Sequence, residues 1–511
     1  MPVRLGIGVV TSGWGEALSQ TLAAVRACTR HPDVVLAVAG DSGGQDGRMA
    51  VAGDSGGQDG RMAELRAAGV AVVTGTPAGD AWNRNRVLFL LGAVFGCDVV
   101  IVVPAGFAPA GDGWDTDWVA AALRFGHAGD SCSGCTAVSA EALAFGGYLD
   151  ARLPNGMATA DYAARLIDLG RGGPAPAALQ QPRPMFTPIG YGVTIAAPAQ
   201  TARFGPASPQ AQVFVPPVSF PPVSFLPWHG EPELMEFRAE VNEACHCLPR
   251  ASAAPLRLGI GVVTYNRRET LAATLARVRA HTVHPGATVV VADDGSTDGT
   301  VAMLQAEGTT VVTGRNTSIA WNKNRALFML TEVLACDVVI LLEDDAFPAQ
   351  DGWEQAWLQA VQRHGHVNIA GDWFRGAFLS GAGTPDDPFL SKEVSAQCSA
   401  FTREALLFGG YMDSRFQGYG FEHVEHTRRL VRLGYGGIQR SVDGERRPLF
   451  ALISGGIGFA PSQSFRTDEH VAHNERLCQV LVNVPGHRAP WRNRSELAQF
   501  RDEISAARRW L

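Results

Sequence analysis

The stretch Val338–Pro348, with the sequence VVILLEDDAFP, decides the fold class of this chain. Five apolar residues run directly into three carboxylates, those of Glu343, Asp344 and Asp345. A continuous apolar run of this length is typical of a strand buried on both faces. Three adjacent acids repel one another unless a cation is present, and Mg²⁺ or Mn²⁺ takes such oxygen ligands together with a phosphate. The segment therefore predicts a metal–diphosphate site at the C-terminal end of a sheet strand, with a solvated acidic turn as the alternative.

A second stretch of the chain resembles this one but lacks its acids. Asp98–Trp114 aligns without gaps on Asp337–Trp353, and Pro104, Ala105 and Gly106 stand at the positions of the three acids. Further segments match in the same order, namely those beginning at Leu5 and Leu258, Ala81 and Ala320, Glu141 and Glu404, and Arg183 and Arg447. We therefore predict two tandem copies of one domain, of which the first has lost its chemistry.

Length and composition agree with two ordinary globular domains. The chain has 511 residues, of which 46% are hydrophobic and 18% charged. A net charge of −7 without a long basic run disfavours nonspecific nucleic-acid binding. The predicted divisions are 1–204 for the degenerate copy, 205–255 for a proline-rich segment and linker, 256–480 for the catalytic copy, and 481–511 for a helical extension. No secretory signal or membrane span is visible, so we expect a cytoplasmic protein, with a possible homodimer through the first copy.

The second copy shows an alternation of predicted strands and helices. The predicted strands are Leu258–Thr264, Thr288–Ala292, Thr309–Thr313 and Asp337–Leu342, and the predicted helices are Arg268–His281, Thr300–Glu307 and Ser318–Ala335. This order predicts an α/β fold, a mainly parallel, Rossmann-like sheet with helices on both faces. Ligands bind such sheets at the C-terminal ends of the strands, where several polar clusters fall.

These polar clusters resemble the inverting, metal-dependent glycosyltransferases of the GT-A fold. The likeness is closest to family 2, with some features of the β-1,4-galactosyltransferases. It rests on the order and spacing of five segments: VVTYNRRETL, ADDGSTDGT, AWNKNRALF, LLEDDAFP and FGGYMDSRFQGYGFEHVEH. Two positions depart from the family pattern, because Glu343 replaces the usual first Asp of the DxD motif and Glu422-His423 replaces the usual Glu-Asp.

The resemblance implies a role for each segment. The first two segments would hold the nucleotide base, and the third and fourth would lie near the diphosphate and sugar. Asp345 would bind the metal, with a histidine beyond the acceptor motif as a further ligand. The candidate donor-binding residues are Thr264, Asn266, Asp293, Asp294, Asn322, Asn324, Arg325, Glu343 and Asp344, and the candidate metal ligands are Asp345, His470 and His473.

The acceptor side needs a base that removes a proton from the attacking hydroxyl. Glu422 is the first candidate, with His423 and Glu425 as alternatives; a Glu422 that only stabilises a helix N-terminus is the competing interpretation. Trp373, Phe374 and Arg375 lie where acceptor-contacting residues commonly sit in the family. An exposed tryptophan could stack on a sugar ring, whereas a buried one would belong to the core.

Together these features predict a metal-dependent inverting glycosyltransferase. It would use Mn²⁺ or Mg²⁺ and move a sugar from a nucleotide-sugar, a UDP-sugar first, to an acceptor hydroxyl, with activity in the C-terminal copy. One alternative is a nucleotidyltransferase on the same scaffold, although Val262–Arg268 lacks the glycine cluster that a triphosphate loop needs. The other alternative is a non-catalytic nucleotide- or sugar-binding protein.

Overall fold

The fold is taken from a computed structural model of the chain. It describes residues 3–41, 55–75, 79–109, 111–129, 133–153, 157–169, 186–188, 226–246, 256–442, 445–461, 467–481, 484 and 486–508. Most of the predicted proline-rich segment lies outside the described residues. None of the helices in the described part has the length and apolar character that a membrane crossing needs.

The described elements fall into two runs along the chain. The first run comprises β1 Leu5–Thr11, α1 Glu16–Cys28, β2 Val34–Asp41, α2 Ser55–Ala67, β3 Ala71–Gly75, α3 Asp80–Leu88, β4 Val99–Pro104, β5 Phe107–Pro109, α4 Trp114–Phe125, β6 His127–Gly129, β7 Thr136–Ser139, α5 Ala140–Gly146, α6 Met157–Asp168, β8 Phe186–Pro188 and α7 Glu231–His246. A π-helical segment, Phe89–Val94, continues α3.

The second run begins at Leu258 and contains the acidic stretch. It comprises β9 Leu258–Thr264, α8 Arg268–His281, β10 Thr288–Asp293, α9 Thr300–Ala306, β11 Thr310–Thr313, α10 Ile319–Phe328, β12 Val338–Glu343, β13 Ala346–Pro348, α11 Trp353–His364, β14 His366–Ile369, β15 Phe378–Ser380, β16 Phe389–Ser391, β17 Cys398–Thr402, α12 Arg403–Gly409, α13 Glu422–Arg432, β18 Gly437–Val442, β19 Glu445–Ile453, β20 Ile457–Phe459, α14 Asp468–Leu481 and α15 Arg494–Arg508. A π-helical segment, Met329–Val333, follows α10, and a 3₁₀ helix spans Asp372–Ala377.

The two large sheets share one strand order. The first runs β3-β2-β1-β4-β7-β6, and the second begins β11-β10-β9-β12-β17-β14 and continues to β19, β16 and β15. In both sheets the first four strands are parallel and the fifth is antiparallel. The predicted α/β fold with parallel sheet content is therefore confirmed. The prediction of a mainly parallel sheet is too broad, because beyond β12 every described pairing of the second sheet except β14 with β19 is antiparallel.

Glycine allows the helices to lie close to the central strands. A Cβ on Gly259 of β9 would come within 2.8 Å of Leu330, and one on Gly6 of β1 within 2.9 Å of Leu91. Both leucines belong to the π-helical segments. The side chains of β9 are buried along its whole length, as expected of a central strand covered on both faces.

Aromatic contacts between the two runs are reciprocal. Phe89 packs on Phe408 with ring centroids 5.4 Å apart, and Phe328 packs on Phe145 at 5.3 Å. Phe89 and Phe328 hold matching sequence positions, as do Phe145 and Phe408. When residue i of one unit meets residue j of the other and the converse also holds, the contact has the pattern of a two-fold interface.

Polar contacts across the same interface repeat this pattern. Arg238 donates to the carbonyl of Leu433, and Arg501 donates to the carbonyl of Leu169. These two arginines lie on α7 and α15. The helices share a sequence pattern that our sequence analysis missed: PWHGEPELMEFRAEV from Pro227 matches PWRNRSELAQFRDEI from Pro490 without a gap.

Candidate active site

The three acids of the deciding stretch lie at the C-terminal end of β12, beside the end of β9. The Thr264 hydroxyl, at the end of β9, donates to Asp344 Oδ2 at 2.7 Å. Asp344 is 4% exposed and Asp345 2% exposed. Side chains this deeply buried do not form a solvated acidic turn, so the structure excludes that alternative for this aspartate pair.

Arg267, at the start of α8, bridges the aspartate pair. Its Nη1 lies 2.9 Å from Asp344 Oδ1 and 3.1 Å from Asp345 Oδ2. Burial raises the pKa of Asp344 to about 6, although the bonds from Thr264 and Arg267 act in the opposite direction. At neutral pH Asp344 is therefore mostly ionised. Sequence analysis did not single out Arg267, which stands in the YNRR segment attributed to base binding.

Asp345 has an oxygen that no hydrogen bond satisfies. Its Oδ1 is buried and has no partner among the described residues. An unsatisfied buried carboxylate oxygen is costly, and a cation bound there would remove this cost. The donor set of two carboxylates suits a hard divalent ion that also takes oxygen ligands from phosphate or water. The residues present therefore fit the predicted metal.

The predicted histidine ligands do not complete this site. Within the described residues, no three His, Cys, Asp or Glu side chains are grouped so that they could hold a metal ion. His470 and His473 lie on α14, and the ring of His470 packs against Gly418 of the acceptor motif, where a Cβ would come within 2.4 Å of it. The set of Asp345 with either histidine is thus not assembled here, because α14 packs against the acceptor motif.

Lys323 is the central residue of the site that sequence analysis missed. It is fully buried on α10, and its Nζ lies 2.8 Å from Glu343 Oε1 and 3.3 Å from Glu422 Oε1. Burial would lower the pKa of Lys323, but the two carboxylates outweigh burial and raise it above its usual value. A charged ammonium therefore joins the donor-side and acceptor-side acids. A lysine inside the buried stretch AWNKNRALF was the signal available in the sequence.

Glu422 is the first residue of α13 and is held as a carboxylate. Its Oε2 accepts a hydrogen bond from the backbone N–H of Gly420 at 3.0 Å. Burial would raise the pKa of Glu422, but Lys323 and His423 outweigh it and hold that pKa well below its usual range. Glu422 also lies in the first turn of α13, where the helix dipole stabilises a carboxylate, so its position agrees with the competing interpretation as well. Its ion pair with Lys323 is what that interpretation alone does not explain.

The two alternative bases are placed differently. His423 lies with Nδ1 3.2 Å from Glu422 Oε1 and Nε2 3.2 Å from the carbonyl oxygen of Val394. Both neighbours are acceptors, so only a protonated ring can donate to both. Glu425 forms a buried two-bond ion pair with Arg429, at 3.0 Å for each bond. That pairing makes Glu425 a structural residue in this conformation.

The two loops predicted to hold the base are linked to each other. Asn266, at a φ of 50°, accepts a hydrogen bond from the Thr297 N–H at 2.7 Å. Asp293 is fully buried and accepts from the N–H groups of Gly295 and Ser296 at 3.1 Å. Its carboxylate therefore shapes the loop, which is a different use from the predicted contact with a base.

Asp294 is held by Arg325 of α10. It accepts a hydrogen bond from Arg325 Nη1 at 2.9 Å. Burial raises its pKa to about 6, although Arg325 acts in the opposite direction. The guanidinium of Arg325 in turn bonds Glu503 of α15 through Nε and Nη2, both at 3.0 Å. Asp294 is thus fixed by a buried network that reaches the C-terminal helix.

The polar side chains of α10 connect the strands and the loop that form the site. Asn322 donates to the carbonyls of Thr264 and Ala292 at 3.2 and 2.9 Å, at the ends of β9 and β10. Asn324 bonds both the N–H and the carbonyl of Met412. With Arg325, these side chains are buried and satisfied, so the geometry supports positioning roles for all three instead of the predicted donor contacts.

The acceptor-side candidates lie on the 3₁₀ helix Asp372–Ala377. Trp373 is 53% exposed and meets the ring of Phe459 edge-on at 5.0 Å. It is therefore a surface aromatic and not a core tryptophan. The side chains of Phe374 and Arg375 lie outside the described residues, so their acceptor roles stay a prediction.

Comparison with known proteins agrees with this site. Residues 260–404 match the family described as Glycosyl transferase family 2. This segment runs from β9 into α12 and includes Arg267, Lys323 and all three acids at the end of β12. The second half therefore contains a glycosyltransferase domain, and the prediction of a glycosyltransferase is confirmed.

Several solved structures show similarity to parts of the chain. One is a mannosyltransferase, PcManGT from Pyrobaculum calidifontis in complex with GDP-Man and Mn²⁺, at 21% identity over 38% of this chain and 59% of that chain, with a TM-score of 0.29. A second is GalNAc-T7 with UDP, GalNAc and Mn²⁺, at 14% identity over 50% of this chain and 55% of that chain, with a TM-score of 0.34. A third is S. aureus TarS, at 18% identity over 39% of this chain and 37% of that chain, with a TM-score of 0.28. The alignments span little more than half of the first two structures. No curated protein matches the sequence.

Proposed function

We propose that the second half transfers a sugar from a nucleotide-sugar to an acceptor hydroxyl with the help of a divalent ion. The observation that carries the proposal is the buried pair Asp344–Asp345, with its unsatisfied oxygen, at the end of β12 inside the family 2 segment. These two carboxylates would hold Mn²⁺ or Mg²⁺, which supplies a Lewis acid for the leaving diphosphate. A UDP-sugar donor and inversion of configuration belong to the proposal through the family resemblance.

Glu422 is the proposed base, and Lys323 is its positioning residue. In the ion pair with Lys323 the carboxylate is ionised but weakly basic, because its pKa is held low. An anionic donor close to Lys323 would share that positive charge, so the pKa of Glu422 would rise towards the range that suits a general base. Proton acceptance would then depend on a bound donor.

The first half is proposed to be a degenerate copy without this chemistry. Trp14 holds the position of Arg267, and its ring nitrogen donates to the carbonyl of Asp41 at 3.0 Å. Trp14 packs in an apolar cluster with Ala105, which holds the position of Asp344. Where the second half places acids and an arginine, the first half thus places apolar side chains.

We propose that each copy ends with its own closing helix, α7 in the first and α15 in the second. The support is the shared Pro-Trp pattern and a shared ion pair: Glu240 bonds Arg86 at 2.6 and 2.9 Å, as Glu503 bonds Arg325. The copies would then span about 1–246 and 256–511, and the earlier divisions at 205–255 and 481–511 would be replaced. Through the reciprocal aromatic contacts, the first copy packs against the second copy of the same chain. The apolar surface used in this contact is therefore not available for the predicted homodimer.

The test is nucleotide release from UDP-, GDP- and dTDP-sugars with Mn²⁺, with and without candidate acceptors. Asp345→Asn is expected to abolish release, and Glu422→Gln is expected to slow transfer while leaving nucleotide binding intact. Asp351→Asn is the matched control, because Asp351 is exposed at the surface six positions away. Release of pyrophosphate from a nucleoside triphosphate would instead indicate a nucleotidyltransferase. Binding without turnover for any donor and acceptor would contradict the proposal.

A further inference from the structure

Arg267 occupies a position between two carboxylates that is suited to a cation. Its Nη1 contacts Asp344 and Asp345 at once, at 2.9 and 3.1 Å. Both carboxylates are buried, whereas the arginine side chain is one fifth exposed. The guanidinium is therefore the more exposed partner in this contact with the aspartate pair.

The charges around this position are not balanced. Four carboxylates, those of Glu343, Asp344, Asp345 and Glu422, meet two cations, Arg267 and Lys323. Lys323 is enclosed and serves the other two acids, so among these groups Arg267 is the cation that neutralises the aspartate pair. Even so, Asp345 Oδ1 remains without a hydrogen bond. The single positive charge of Arg267 therefore compensates the two carboxylates only in part.

The two copies of the sequence differ consistently at these positions. In the first copy, Trp14 replaces Arg267, and Ala105 and Gly106 replace the two aspartates. The arginine is thus absent where the acids are absent. This supports a function for Arg267 that depends on the acids and not on the packing of the loop.

We propose that Arg267 is a built-in cation that holds the aspartate pair in the metal-free protein and that a divalent ion displaces it. The proposal rests on the proposed function, since it takes the aspartate pair as the metal site. Arg267 would keep two buried carboxylates from repelling each other before the metal arrives. It would also lower metal affinity, because the ion must compete with a bound guanidinium. Once displaced, the guanidinium can bond an anionic donor such as a diphosphate.

The test is Mn²⁺ binding by the full chain without donor. Binding is measured by calorimetry or by the loss of the paramagnetic resonance signal of the free ion. Arg267→Gln is expected to bind Mn²⁺ about tenfold more tightly than the wild type, because a competing charge a few ångströms away is gone. Arg267→Lys should remain within about threefold of the wild type, since it keeps the charge. Arg268→Gln is the matched control: it makes the same charge change one residue along, on an exposed side chain, and should leave the affinity unchanged.

The outcomes separate this proposal from the proposed function. Equal or weaker Mn²⁺ binding by Arg267→Gln, with binding abolished in Asp345→Asn, would overturn the displacement while keeping the metal site. Absence of Mn²⁺ binding in every variant would overturn both. Thermal unfolding of each variant, followed by circular dichroism, shows whether a loss of binding is caused by unfolding. Mn²⁺ binding by Arg267→Gln but not by the wild type would support displacement most strongly.

Discussion

Replacement of Lys323 by methionine tests the central ion network directly. Met has a similar length and no charge, so Glu343 and Glu422 would lose the ammonium that now lies 2.8 and 3.3 Å away. Breaking a buried ion pair by removing one partner costs about 3–5 kcal/mol. For a domain of this size that corresponds to a decrease in Tm of roughly 6–20 °C. The measurement is thermal unfolding followed by circular dichroism.

The pH dependence of this loss has a definite sign. In the wild type, the low pKa of Glu422 means that its ionised form stabilises the fold above the unfolded pKa and that this stability is lost as the pH falls. Without Lys323, burial would raise the pKa of Glu422, so its ionised form would destabilise the fold. The difference between variant and wild type should therefore be largest near pH 8 and decrease towards pH 5.

The matched control is Arg84→Met at the corresponding position of α3. Arg84 pairs with Asp80, whose side chain is 41% exposed, and donates to the carbonyl of Gly134 at 3.0 Å, so the expected loss is about 1–2 kcal/mol, smaller than for Lys323. The reasoning would be refuted if Lys323→Met unfolded within about 2 °C of the wild type, well short of the expected decrease. A loss that did not change between pH 5 and pH 8 would refute the electrostatic part alone.

Three further predictions address the pairing of the halves and the buried titratable groups. Phe89→Ala and Phe328→Ala should destabilise the protein by similar amounts, about 3–5 kcal/mol each, because both rings are buried in reciprocal contacts; a neutral result for either, measured by urea unfolding, would contradict the two-fold pattern. Glu240→Gln and Glu503→Gln should both lower Tm, but only the second should weaken nucleotide binding in equilibrium dialysis, because only its arginine reaches a proposed donor loop. Burial lowers the pKa of His366 to about 4, so this residue should make stability decrease as the pH falls from about 6.5 to 4, by up to roughly 1.4 kcal/mol per pH unit. His127 and His487 are also buried with lowered pKa and add to the slope, so His366→Gln should reduce the slope in pH-dependent denaturation by the His366 share only.

The sequence predicted those features that depend on local patterns. The apolar run before Glu343 predicted the central strand β12, and the alternation of strands and helices predicted the four parallel strands. The antiparallel strands from β14 to β19 were not predicted, because they are short and pair across long stretches of chain. The predicted helix Ser318–Ala335 is instead α10 followed by the π-helical segment Met329–Val333, a change that apolar periodicity does not show.

The proposed closing helices show why local composition is a poor guide to the domain limits. Proline-rich sequence before Trp228 suggested a linker, and the end of the chain suggested an extension. Their common identity depends on Glu240 meeting Arg86 and Glu503 meeting Arg325, which are separated by 154 and 178 residues. Before these contacts were known, the common identity of the two helices could be recognised only by aligning the segment from Pro227 with the segment from Pro490.

The acids and the cations of the site differ in how far sequence reasoning can reach them. Three adjacent carboxylates after an apolar strand cannot all be buried without compensation, so the sequence predicts a cation near them as one of two alternatives, the other being a solvated turn. It does not identify that cation, because Lys323 stands 20 residues from Glu343 and Arg267 stands 77 residues from Asp344 along the chain. The fold brings both into contact with the acids: the Lys323 side chain is fully buried, whereas the Arg267 side chain is one fifth exposed. In the proposed site, Lys323 positions the base Glu422, and Arg267 is displaced when a divalent ion binds the aspartate pair. An anionic donor would bind near both cations, so its arrival would couple metal binding to activation of the base.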